Sequence, residues 1–135
     1  MTGYLLDTNI IGDVIRSPDG IVARHLEEFG PTAAIVTSII VAAELHYGCA
    51  RKGSAKLRAR VGEILATIPI MPLECPADSR YGRIRAELEG VGKPIGMNDL
   101  LIASHALALG LTLVTDNMRE FSRIRGLKVE NWLER

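Results

Sequence analysis

Short runs of consecutive apolar residues alternate along this chain with longer segments whose apolar positions recur every three or four. Tyr4-Leu5-Leu6 is the first short run, and it stops at Asp7-Thr8-Asn9, three residue types that cap helices. Residues 20–29 carry Ile21, Val22 and Leu26 at helical spacing, and residues 34–37 form a second β-like run. Ser38 then stands where it can cap a helix reaching about Arg51. Residues 54–66 repeat the helical pattern through Leu57, Val61, Ile64 and Leu65. Ile70 and Met71, between Pro69 and Pro72, predict a short strand, and Tyr81, Ile84 and Leu88 stripe a helix over 78–89. Glycines and Pro94 mark 90–96 as a loop. Residues 98–109 predict a helix closed by Gly110, and 112–115 and 128–130 predict the last two strands.

Strands that alternate with helices imply an α/β fold: a central, mostly parallel, twisted sheet flanked by helices on both faces. The 135 residues suit one domain spanning 1–135, with no repeat, low-complexity tract or linker. In such folds the site lies beyond the carboxyl ends of the strands. Acidic residues stand at those ends. Asp7 follows the first strand, and Asp116 follows the strand ending at Thr115, which is expected to lie beside it. Glu44 interrupts the apolar run 39–45, and Asp99 opens the helix that contains Leu100, Leu101 and Ile102.

A buried carboxylate costs several kcal/mol unless it is paired, neutralised or bound to metal. A shared divalent cation answers that for several acids at once, and oxygen-only ligands suit Mg²⁺ or Mn²⁺. Each acid also has an ordinary reading. Asp7 can cap a helix, Asp99 fits a first helical turn, and Asp116 fits a turn before Asn117. His25, His46 and His105 show no zinc-type spacing and read as structural or surface residues. Cys49 and Cys75 form no CxxC pair and read as small hydrophobes.

Composition narrows the field. Sixteen basic and sixteen acidic side chains cancel, so net charge announces no nucleic-acid partner. Local charge remains in Arg51, Lys52, Lys56, Arg58 and Arg60, and in Arg80, Arg83 and Arg85; either group also fits a solvated helix face. No apolar run reaches the roughly 18 residues of a membrane span. With no basic segment before Tyr4, the expected location is the cytoplasm.

Five segments, in order, resemble the PIN-domain family in its VapC-type toxin branch. They are 5–9 (LLDTN), 38–48 with Glu44-Leu45 and Tyr47-Gly48, 94–103 (PIGMNDLLIA), 113–121 (LVTDNMREF) and 126–132 (GLKVENW). The resemblance implies a PIN-like fold and a Mg²⁺-dependent endoribonuclease, with Mn²⁺ able to substitute. It also implies a homodimer and inhibition by a VapB-type antitoxin. Asp7, Glu44 and Asp99 fall on the family's acidic positions and are the expected catalytic and metal-binding set. Many relatives place a fourth acid where this chain has Asn117, so Asp116 is a candidate one residue early. Thr8, Thr115 and Asn117 are expected to orient the carboxylates. The alternative is an inactive PIN-like module that binds RNA or protein.

Overall fold

The computed structural model describes residues 2–133, and in it the predicted alternation becomes a fully parallel sheet. In chain order the elements are β1 (Thr2–Leu6), α1 (Thr8–Arg16), α2 (Ile21–Phe29), β2 (Ala33–Ser38), α3 (Ile39–Lys52) and α4 (Ala55–Thr67). There follow β3 (Ile70–Met71), α5 (Ala77–Gly90), α6 (Met97–Leu109), β4 (Thr112–Val114), α7 (Met118–Phe121) and β5 (Val129–Glu130). The strand order is β3-β2-β1-β4-β5.

β1 stands at the centre. Leu5 pairs with Val36 on one side and Leu113 on the other, and Leu6 with Thr37 and Val114. Leu5 and Leu6 are fully buried, as an uninterrupted apolar run in a sheet covered on both faces requires. The strands that end before Asp7 and Thr115 are neighbours, as expected. The chain moves from β1 outward to β3 and then returns to the other side of β1, so strand order reverses between β1 and β4. Right-handed crossovers place the helices of the two halves on opposite faces. α1 packs on α2, α3 and α4, while α5 packs on α6.

The helix ends follow local chemistry. Ser38 caps α3 by accepting from the Ile40 amide, and Ser54 caps α4 by accepting from Leu57. Gly110 closes α6 in the left-handed conformation, φ 68°, which a residue without Cβ adopts freely. His105, 1% exposed, shares a 2.8 Å hydrogen bond with Ser38 and so ties α6 to the start of α3. Burial holds its pKa below the ordinary histidine value, against the pull of the Pro72 carbonyl. Cys49 is buried as expected of a small hydrophobe, whereas Cys75 is exposed in the turn before α5.

One element was not expected. α7 is a single turn, too short to show a period, and Asn117 caps it by accepting from the Glu120 amide at 3.4 Å. α3 also differs from the all-round buried helix that its composition suggests: Ile39 and Tyr47 face outward at 44% and 66% exposure.

Candidate active site

The start of each helix that follows or precedes a central strand falls on the same rim of a parallel sheet. Asp7, Asp99 and Glu120 therefore arrive together: Asp7 caps α1, Asp99 lies in the first turn of α6 and Glu120 in that of α7. Helix N-termini favour negative charge there.

Asp7 is 4% exposed. Its amide continues the sheet by donating to the Val114 carbonyl at 2.9 Å. Its Oδ1 accepts from the Thr8 amide and its Oδ2 from the Thr115 hydroxyl, both at 2.7 Å. Burial raises its pKa, the two hydrogen bonds resist that rise, and the charge of Glu44 adds to it. Glu44 comes from the second turn of α3. The Thr8 hydroxyl donates to its Oε1 and the Asn98 side-chain amide donates to its Oε2 at 3.4 Å. The Thr8 and Thr115 hydroxyls thus each donate to one of these two carboxylates.

Asp99 is the most perturbed acid. Burial, then the charge of Asp7, then a hydrogen bond and the charge of Glu120, then Glu44, push its pKa up to about 7. The Oε2 of Glu120 is buried without a partner among the described residues. Two carboxylates facing each other lack a donor unless they share a proton or a cation. Sequence reasoning missed Glu120, although it lies inside the fourth motif; its separation from Asp116 is one turn of an unexpected helix.

Asp116 is placed elsewhere. It is exposed, its amide donates to Asn9 Oδ1 at 3.1 Å, and its Oδ1 accepts from Asn131 at 3.2 Å. Thr115 turns inward to Asp7, so the next side chain turns out. Asn117 lines the cleft and caps α7, donating its amide to the Thr115 hydroxyl at 3.0 Å.

Asp7, Glu44 and Asp99 open into one cleft of about 530 Å³. Among the described residues no three Asp, Glu, His or Cys side chains stand ready-made around one metal position. Glu44 explains part of that, because Thr8 and Asn98 already hold both its oxygens. The donor chemistry nevertheless fits a hard cation: oxygens only, crowded, with an orphaned carboxylate oxygen beside them. Of the basic groups named above, Arg83 and Arg85 pair with Glu87 and Glu89 on α5, while Lys52 reaches the cleft.

Residues 4–127 match the family model of the PIN domain. The chain belongs to the PIN-domain family. This PIN domain is 41% identical to ribonuclease VapC2 of Rickettsia felis over 130 residues, which is 96% of this chain and 97% of that one. It is 34% identical to the tRNA(fMet)-specific endonuclease VapC of Shigella flexneri, across 98% of this chain and 99% of the relative. A crystal structure of VapBC2 from Rickettsia felis bound to a DNA fragment from its promoter superposes with a TM-score of 0.92 at 39% identity. That superposition covers 97% of this PIN domain and 99% of the other chain. Such relatives place it among the VapC ribonucleases. No helix among the described residues is long and apolar enough to cross a membrane.

Proposed function

We propose that residues 1–135 form one PIN domain acting as a Mg²⁺-dependent endoribonuclease, the toxin of a VapBC-type pair held in check by a VapB-type antitoxin. The observation that carries the reading is the meeting of Asp7, Glu44, Asp99 and Glu120 at one rim, with Asp99 and Glu120 left to share a charge. Relatives of nearly the same length are ribonucleases by name, and a solved relative is a VapBC complex.

Asp7 and Asp99 would hold the cation directly, and Mn²⁺ would substitute for Mg²⁺. When bound, the cation offsets phosphate charge and lowers the pKa of a bound water. Glu44 holds the attacking water and takes its proton at a carboxylate oxygen; Thr8 and Asn98 fix its orientation. Thr115 keeps Asp7 aimed at the cleft. Glu120 sets the charge state of Asp99. The substrate class is RNA, with tRNA the first to try, since one relative is named for a tRNA. A cytoplasmic location fits a substrate and an antitoxin of this kind. Ile39, Ala43 and Tyr47, spaced by four on the outer face of α3, offer an apolar stripe for a homodimer.

The test is cleavage of total RNA and of a tRNA pool by the purified chain. Cleavage in Mg²⁺ that EDTA abolishes, and that Asp7→Asn lacks, supports the reading. Undiminished cleavage in EDTA overturns the metal mechanism. RNA binding without cleavage under any divalent cation leaves the inactive module as the better account.

A further inference from the structure

The cleft that gathers the carboxylates has a second, basic end. Arg16, the last residue of α1, and Lys52, the last of α3, line it together with Asp7, Glu44 and Asp99. The ion pairs among the described residues use Arg83, Arg85 and Arg125, so neither Arg16 nor Lys52 is neutralised by a carboxylate there.

Each cation is preceded, one turn earlier, by a glycine lining the same cleft: Gly12 before Arg16 and Gly48 before Lys52. A glycine inside a helix costs about 1 kcal/mol relative to alanine, so two at matching places on two helices call for a reason. Helical side chains lean back toward the N-terminus, which aims both cations toward the acids. The Arg16 guanidinium lies folded over Gly12, its nearest nitrogen 3.2 Å from where a Cβ would stand. At Gly48 a Cβ would meet nothing within 4 Å, so the cleft surface there is open. With a rise of about 1.5 Å per residue, Arg16 stands roughly 13 Å along α1 from Asp7, and Lys52 roughly 12 Å along α3 from Glu44. Leu45 and Val61 wall the space between, and apolar walls strengthen the field of the two cations.

We propose that Arg16 and Lys52, above the bare floor left by Gly12 and Gly48, bind backbone phosphates of an RNA strand flanking the bond to be cut. The inference rests on the ribonuclease reading of the cleft and adds the residues that seat the strand. Net charge is zero, so attraction to a polyanion has to be local. Phosphate contacts position a strand without reading its sequence, and these two fix its path between the helices toward the acids.

The experiment measures fluorescence anisotropy of a labelled 12-nucleotide single-stranded RNA bound to the full chain in EDTA, from 50 to 200 mM salt. It is paired with cleavage kinetics on a tRNA pool in Mg²⁺. Arg16→Gln and Lys52→Gln are each expected to weaken binding about tenfold and to reduce the salt slope by about 0.7, with their effects summing in the double variant. KM rises and kcat stays near wild type. Arg125→Gln, whose partner Glu87 lies on α5, serves as the control and leaves both unchanged. Gly48→Leu separates folding from binding: it raises Tm by removing a helical glycine while raising KM by filling the floor. Unchanged salt slopes and KM in the double variant overturn the proposal. So does a double variant that binds RNA normally but no longer binds antitoxin, since the cations then serve the inhibitor. A wild-type chain that binds the RNA with the expected slopes but never cuts would sink the ribonuclease reading and leave the phosphate contacts standing.

Discussion

Acids on α5 and acids at the sheet's rim are built in opposite ways. On α5, Glu87 pairs with Arg83 and Arg125 at 3.3 and 2.9 Å, and Glu89 pairs with Arg85 at 3.0 Å, all on the surface. Such exposed pairs contribute about 0–1 kcal/mol and impose little on the fold. At the rim, among the described residues, no cationic side chain pairs with the carboxylates. Their donors are neutral: the Thr8 amide and hydroxyl, the Thr115 hydroxyl and the Asn98 amide. The difference teaches where this molecule keeps its chemistry. Charge that is settled on the surface does no work, and carboxylate charge left unsettled in a shared cleft is what a divalent cation can relieve.

The comparison breaks most sharply by neutralising one acid from each region. Asp99→Asn is expected to lower cleavage of RNA by at least about a thousandfold, whereas Glu89→Gln leaves the rate within about twofold. Initial rates in Mg²⁺ measure both. Equal losses would mean that the rim acids act only through the fold.

A finer division lies within the rim itself. Glu120→Gln is expected to cost about 10–100-fold, the usual scale for a group that tunes a ligand. Asp116→Asn, on an exposed carboxylate bonded to Asn131, is expected to change the rate less than threefold. The reverse ranking would return the fourth acidic position to Asp116.

Stability against pH sharpens the contrast further. Burial raises the pKa of Asp7, and that of Asp99 to about 7. A carboxyl whose folded pKa exceeds its unfolded value contributes stability below the unfolded pKa and loses it as pH climbs through the folded one. The metal-free chain should therefore lose Tm between about pH 4 and pH 8 relative to Asp99→Asn, whose amide does not titrate. Thermal melts in EDTA give that difference, and parallel curves for the two proteins would contradict it. The smallest effect belongs to α5: Arg85→Gln, at a pair open to solvent, should leave the thermal melt unchanged within error.

Asp7 and Asp99 were legible because each ends or opens an apolar stretch, where an unpaired charge is conspicuous. Glu44 showed itself as one acid in a run of aliphatics, though the outward faces of Ile39 and Tyr47 did not. The parallel sheet followed from alternation, and the adjacency of β1 and β4 from acids at both ends. Asp116 misled because proximity to a strand end does not say which way a side chain turns; Thr115 takes the inward position. Glu120 stayed hidden because a one-turn helix has no period, and its reach toward Asp99 depends on the Asn117 cap. Arg16 and Gly12 escaped notice because a helical glycine gains meaning only from what lies over it.

Proton release on cation binding tests the central claim most directly. If Asp99 and Glu120 share a proton that a cation replaces, Mg²⁺ or Mn²⁺ binding near pH 7 should expel about half a proton per ion. Calorimetric titrations in two buffers of different ionisation enthalpy count that release. The account predicts release from the wild-type chain, less at pH 8, and none from Asp99→Asn. Cation binding that expels no proton at pH 7, or that Asp99→Asn matches in affinity and stoichiometry, would contradict it.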